Sequence, residues 1–405
     1  SSVRSAAWAF NSWTQTTSAF AVFRNSKKPL FEADRTPLRF AEVIRSILKC
    51  KPIIYGSSPT AFELMPVVFY KKENAFAFIK KRNGETKLGE KIRAISNQKN
   101  WKNELKKSSA PFVIIGIPED IGVKANYGVG GAHTVWKPFL QAFFNIQDNQ
   151  FLSGDSFLLL GEFDFSDLQQ KIKNKPIEFV REQVEVIDKQ VAQITQAITE
   201  SGKTPIIIGG GHNNAYGNIK GTAHGLQQNG KIKNAKINAI NIDAHADFRA
   251  LEGRHSGNGF SYAMHDGYLD KYSIIGLHEN YTSQAMLENL NKNKKIQTHF
   301  FEDICIRKKI EFDDVIQDAI LFTKNSYTGI EIDIDAIENT LSSAISPCGF
   351  SSQQIRQFIH QVASKSKIAY LHICEGATTL DNGLQSTTTG KLIAYIVSDF
   401  AKSIR

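Results

Sequence analysis

From about residue 66 to the C-terminus, short apolar runs rich in β-branched residues alternate with longer amphipathic stretches. Runs at 112–115, 157–160, 205–208, 237–242, 272–275, 329–334 and 368–373 read as strands. Several are apolar on both faces, which suits parallel strands covered by helices on each side. Val180, Val184, Ile187, Val191, Ile194 and Ile198 recur at steps of four and three, the period of a helix with one buried stripe. Gly202 stands where that helix should stop. Stretches at 136–146, 281–291, 310–324 and 351–366 read as further helices. Such alternation is the signature of an α/β fold.

Residues 1–65 break this rhythm. They mix aromatic, Ser/Thr and basic residues and hold one short helical pattern at 40–48, so they read as an N-terminal extension to a single domain over 66–405. The stretch 80–109 is polar and basic and reads as a linker before the strand at 112–115. The net charge of +9 is concentrated at the front: residues 1–110 carry 21 Lys and Arg against 8 Asp and Glu, the remainder 28 against 32. No nucleic-acid module accompanies this charge, so nucleic acid is not the expected partner. The first acidic residue is Glu32; the basic, Ser/Thr-containing segment before it has the compositional outline of a transit peptide, with a mis-assigned start site or a poorly ordered tail as the alternatives. No apolar run approaches the ~20 residues of a membrane-spanning helix. Cys50, Cys305, Cys348 and Cys374 form no CxxC pair, which points to a reducing, cytoplasmic setting.

The chemistry gathers where the strands end. After 205–208 comes Gly209-Gly210-Gly211-His212; after 237–242 comes Asp243-Ala244-His245-Ala246-Asp247; run 329–334 holds Glu331, Asp333 and leads to Asp335; after 368–373 comes Cys374-Glu375. Ligands of open α/β sheets bind at the carboxyl ends of the strands. Alternate positions of an extended chain also share one side, so Asp243, His245 and Asp247 should point together. His212, Asp243, His245, Asp247, Asp333 and Asp335 make two imidazoles and four carboxylates, a set suited to Mn²⁺, or to Ni²⁺, Co²⁺ or Fe²⁺, rather than to thiolate-bound zinc. Four carboxylates so close together repel one another, and two divalent ions bring the cluster near neutrality.

These motifs, in this order and spacing, resemble the metal motifs of the ureohydrolase superfamily of arginases, agmatinases and formimidoylglutamases. The resemblance runs from about Phe112 to the C-terminus. Gly116-Ile117-Pro118-Glu119-Asp120-Ile121-Gly122 and the third glycine before His212 look most like formimidoylglutamases. It implies a three-layer α/β/α arginase-like fold with a central, mostly parallel sheet and two Mn²⁺ per chain. His212, Asp243, Asp247 and Asp333 would hold one ion, and Asp243, His245, Asp333 and Asp335 the other. The implied reaction is attack of a metal-activated hydroxide on a linear amidine, N-formimidoyl-L-glutamate giving L-glutamate and formamide in histidine breakdown.

By the same resemblance Asp247 and Glu375 are expected at the reacting centre, Glu375 also pairing with the cationic head of the substrate. Arg249 and Arg254 are candidates for a substrate carboxylate, and Ser256 and Asn258 for the pocket wall. His255 is expected in the pocket, although aligning the glycines puts Ser256, not His255, at the arginase histidine. Glu331 replaces a residue that is more often small, and Glu338-Asn339 replaces Asp-Pro. A guanidino-substrate ureohydrolase and a non-catalytic metal-binding member stay open. A dinuclear phosphoesterase fits less well, since no Asn-His-Glu motif is present. A homo-oligomer acting on a small molecule, without nucleic acid or membrane, is expected.

Overall fold

The computed structural model describes residues 67–404. The extension at 1–65, its short helical pattern and the transit-peptide outline lie outside the described residues.

The strands are β1 (Val67–Phe69), β2 (Arg93–Ala94), β3 (Phe112–Gly116), β4 (Phe157–Phe163), β5 (Thr204–Ile208), β6 (Ile237–Ile242), β7 (Leu269–Leu277), β8 (Ile296–Phe300), β9 (Thr328–Asp333) and β10 (Ile368–Cys374). They form one sheet in the order β1-β4-β3-β5-β10-β9-β6-β7-β8, with β2 also beside β4. Only β1 runs antiparallel, against β4; the other pairings are parallel. Alternate residues of each strand feed two different apolar layers, as the two-residue period requires. Ile206, Ile208, Ile240, Ile242, Ile330, Ile332, Leu371 and Ile373 pack on one side, with residues of the helices Trp136–Phe143, Phe312–Thr323, Ser352–Lys365 and Thr389–Ser403. Val113, Ile115, Ile207, Ile237, Ala239 and Ile274 pack on the other, with residues of Ile177–Glu200, Asn214–Gln228 and Gly259–His265. The result is a three-layer α/β/α sandwich.

The long helix Ile177–Glu200 buries Val180, Val184, Ile187, Val191, Ile194 and Ile198, the stripe expected from the spacing. It ends before Gly202, whose φ of +81° suits a residue without a Cβ. Helix Asn214–Gln228 lies hard against it. A Cβ at Gly221 would sit 2.2 Å from the Ala192 carbonyl oxygen, so only glycine permits this approach.

The stretch 80–109 is not a linker. It carries β2 and the short helices Leu88–Lys91 and Trp101–Lys107, and buries Leu88, Ile92, Trp101 and Leu105. Its elements are too short for a sustained period to show. Strand β8 was also missed, being a half-buried edge strand with little apolar content. Among the described residues no helix is long and apolar enough to cross a membrane.

Candidate metal centre

Strands β5, β10, β9 and β6 are neighbours in the middle of the sheet. Four polar clusters separated by up to 163 residues of chain therefore emerge side by side at their carboxyl ends. Gly209 and Gly210 turn the chain after β5 with φ of +89° and +78°. A Cβ at Gly210 would lie 2.4 Å from Asn214 Nδ2, so the loop cannot carry a larger residue there without rearranging. The turn delivers His212 to the head of helix Asn214–Gln228 with its ring fully buried.

The His212 Nδ1 atom stands 2.8 Å from Asp247 Oδ2, 3.1 Å from Asp333 Oδ2 and 3.3 Å from Asp243 Oδ2. His245 Nδ1 is 3.1 Å from Asp335 Oδ2 and 3.7 Å from Asp243 Oδ1. The six sequence-predicted ligands thus come together as two overlapping groups, His212/Asp243/Asp247/Asp333 and Asp243/His245/Asp335; Asp243 is in both, whereas Asp333, expected in both from the resemblance, joins only the His212 group. One oxygen of Asp243 accepts the His245 N–H at 2.7 Å, and one oxygen of Asp333 the Asp335 N–H at 2.9 Å. Each carboxylate is fixed by the backbone two residues on, leaving its second oxygen toward the imidazole. The segment 243–247 is bent rather than extended, however. Asp247 joins the group through a left-handed φ of 44°, not by strand alternation.

The donor set fits divalent metal. Neither ring nitrogen of His212 closes a hydrogen bond, and Asp335 Oδ1 is buried without a partner, which is costly unless a cation completes the site. Burial and the charge of Asp243 push the Asp247 carboxyl up to about 6. Burial, with Asp335 and Asp243 alongside, drives Asp333 well above the usual carboxylate range. Burial would raise Asp243 too, but the imidazoles of His212 and His245 hold it below that range. Such crowding of like charge is what a pair of cations relieves.

A cavity of about 560 Å³ opens over the cluster. Asp247, Asp333, Asp335, His245 and Glu375 form its floor, and Arg249, Asn126, Ser256 and Tyr281 belong to its lining. Glu375 holds a strained φ of 59° and its Oε1 accepts the His212 N–H at 2.8 Å. Burial, with the charges of Asp335 and Asp247 added, pushes its carboxyl up to about 8. Arg249 reaches Asn126 Oδ1 at 3.0 Å and Glu252 at 3.2 Å, and stays half exposed at the rim.

Three predicted pocket residues lie elsewhere. Arg254 is buried and bonds Asp188 at 2.8 Å, Asn258 and the Asn213 carbonyl. Asn258 also donates to the Gly253 carbonyl at 2.8 Å. His255 accepts the Gly257 N–H at Nδ1 and faces Glu252 through Nε2, both at 3.1 Å; burial holds its imidazole down to about 4. These side chains brace the 252–258 loop behind the cavity wall, where Ser256 alone of the predicted loop residues faces the cavity.

Two contributors carried no role from sequence. Glu119 accepts five N–H groups: Ile121 and Gly122 backbone at 2.6 and 3.3 Å, Gly211 backbone at 3.1 Å, and the amides of Asn213 and Asn214 at 3.2 and 2.6 Å. It ties the Gly116–Gly122 motif to the histidine-bearing turn. Tyr281 stacks on His245 with ring centroids 5.0 Å apart. An isolated aromatic in a polar stretch left no sequence signal.

The sequence model of the arginase family matches residues 110–401. Among curated proteins, the formimidoylglutamase of Macrococcus caseolyticus (strain JCSC5402) is 27% identical over 217 residues, covering 53% of this chain and 65% of that protein, just under two thirds of its length. Among solved structures, the formimidoylglutamase from Bacillus subtilis subsp. subtilis str. 168 matches with a TM-score of 0.62 at 19% identity, over 82% of this chain and 98% of its own. The Trypanosoma cruzi formiminoglutamase with Mn²⁺ matches with a TM-score of 0.58 at 18% identity, over 79% and 98%. At these identities the likeness to the two structures is one of fold.

Proposed function

The chain belongs to the arginase family, and from that membership we propose that it is a dinuclear-metal hydrolase of a linear amidine, with N-formimidoyl-L-glutamate as substrate and L-glutamate and formamide as products. One observation carries the reading. Six ligand-type side chains from the ends of three central strands, β5, β9 and β6, meet under one cavity, with a buried carboxylate, Glu375, on its floor and a guanidinium, Arg249, at its rim.

His212, Asp243, Asp247 and Asp333 would hold one ion and Asp243, His245 and Asp335 the other; the donor chemistry suits Mn²⁺, with Ni²⁺, Co²⁺ or Fe²⁺ as alternatives, and Mn²⁺ is the ion named with the T. cruzi relative. Ions so held supply Lewis acidity and bring the pKa of bound water toward neutrality. Glu375 receives the planar N–H fork of the amidinium, for which a carboxylate is the matching acceptor. Asp247 takes a proton at its carboxylate and returns it to the departing amine. Arg249, helped by Asn126 and Ser256, receives a carboxylate of the glutamyl part at the rim. Glu375 is buried at the floor, where a charge contact is screened less than one at the exposed rim.

A guanidino substrate is the second reading. Glu252 pairs with Arg249 at 3.2 Å, which partly neutralises the guanidinium that would receive a substrate carboxylate. A panel of formimidoylglutamate, arginine, agmatine and guanidinobutyrate, offered to Mn²⁺-loaded protein, separates the readings. Formamide release is expected; urea from a guanidino compound alone would replace the first reading by the second, and no turnover of any would leave a metal-binding protein without catalysis.

A further inference from the structure

A second row of polar side chains crosses the sheet one step below the ligands. In register, His372 of β10 pairs with Glu331 of β9, and Glu331 with Asn241 of β6. Two residues further along, Cys374 pairs with Asp333, and Asp243 follows Asn241 by the same interval. The two-residue period puts both rows on one face of the sheet. Asn241 is already seen at work there, since its Nδ2 donates to Asp243 Oδ2 at 2.9 Å and lies 2.9 Å from the Tyr272 hydroxyl.

Glu331 is the member that needs explaining. It is a fully buried carboxylate in a strand buried from end to end, and burying a charge is expensive unless its oxygens are engaged. Its Oε1 accepts the Tyr370 hydroxyl at 2.5 Å, and its Oε2 lies 2.6 Å from His372 Nδ1. The other nitrogen of His372 faces the Gly209 carbonyl at 3.4 Å, so both sides of that ring meet acceptors. The same Oε2 lies 3.6 Å from His212 Nε2, a few tenths of an ångström beyond a closed hydrogen bond. On the opposite edge of the His212 ring, Nδ1 faces the three carboxylates of the metal group.

We propose that Glu331 is the positioning residue of the first metal ligand: it takes the Nε2–H of His212, so that the Nδ1 lone pair is turned to the metal, while Tyr370 and His372 hold Glu331 in place. An imidazole ligand is fixed in tautomer and ring orientation by the acceptor behind its other nitrogen. Gly209 ties the relay back to the turn that carries His212, so ligand and support move together. The inference rests on the dinuclear reading above.

Metal-free full-length protein is titrated with Mn²⁺, parent beside Glu331→Gln, which keeps the volume of the side chain and removes its charge. Two ions bind the parent, and the variant binds the ion of the His212 group on the order of 10- to 100-fold more weakly. The group of His245 and Asp335, outside the relay, weakens less than the His212 group. Fewer than two ions in the parent would overturn the dinuclear reading itself. Two ions in the parent with unchanged or equally weakened sites in the variant would overturn only the role of Glu331. A second measurement needs no variant to fold. In ¹⁵N-histidine spectra of the parent loaded with diamagnetic Zn²⁺, His212 should carry its proton on Nε2 and bind metal through Nδ1; the reverse tautomer contradicts the proposal.

Discussion

Arg254→Met separates a residue that holds the loop from one that binds substrate. Arg254 and Asp188 are 2% and 3% exposed, and their guanidinium and carboxylate meet at 2.8 and 3.3 Å. The guanidinium also lies 5.0 and 4.8 Å from the ring centroids of Tyr216 and Tyr262. Burial already raises the Asp188 carboxyl, and Arg254 is the main group opposing it. Methionine fills the space but leaves that carboxylate without its partner, which costs about 3–5 kcal/mol. With an unfolding entropy of roughly 2.1 cal/mol/K per residue over about 340 residues, this lowers the Tm by about 4–7 °C. Arg249→Gln breaks an exposed pair with Glu252 worth at most about 1 kcal/mol, so its Tm should move by no more than about 1 °C. Its KM for formimidoylglutamate should rise about 10-fold or more, the loss of a charge-assisted contact. Differential scanning calorimetry and steady-state kinetics on both variants read these outcomes. An Arg254→Met protein with parental Tm and a raised KM would refute the assignment of Arg254 to the scaffold and of Arg249 to the rim.

Further consequences follow from single contacts. Glu119→Ala strands N–H groups that now share one buried carboxylate, at a cost of at least about 3 kcal/mol, and should weaken Mn²⁺ binding with it; calorimetric titration showing parental affinity would contradict its tie to the His212 turn. Gly116→Ala puts a Cβ 2.4 Å from the Trp136 ring, an overpacking worth about 1–3 kcal/mol and readable in urea melts. The Asp120 carboxylate, 2.8 Å from His133, raises the imidazole above its ordinary 6.5, while Asp120 itself, despite burial, is held below 3.8 by His133 and Lys124. The pair's stabilisation is therefore full below pH 6.5 and lost as pH rises through the raised imidazole value; it is lost again in acid as Asp120 protonates below 3.8. The Tm gap between parent and His133→Gln should be widest near pH 5.5 and narrow as the pH rises above 6.5 through the raised imidazole value; a gap independent of pH would count against this coupling.

Much of this architecture was legible because burial leaves a period. The stripe from Val180 to Ile198 and the apolar runs of β3 to β7, β9 and β10 are visible without coordinates, since two-faced burial demands them. The ligands were legible because metal chemistry admits few side chains and because strand ends are where an α/β sheet gathers them. Contacts set by loop path rather than by period were not. Arg254 and Arg249 sit five residues apart on one loop, yet one turns inward to Asp188 and the other outward to the cavity. Nothing in their spacing distinguishes them. Glu119 and Glu331 were visible as residues but not as partners, because the groups they hold, the Gly211 turn and His372, arrive from distant parts of the chain.

Crystals of the full-length protein grown with Mn²⁺ and measured at the manganese absorption edge test the central claim most directly. Two anomalous peaks per chain are expected, one among His212, Asp243, Asp247 and Asp333 and the other among Asp243, His245 and Asp335. A single peak, or peaks away from these side chains, would contradict the dinuclear centre on which the proposed hydrolysis depends.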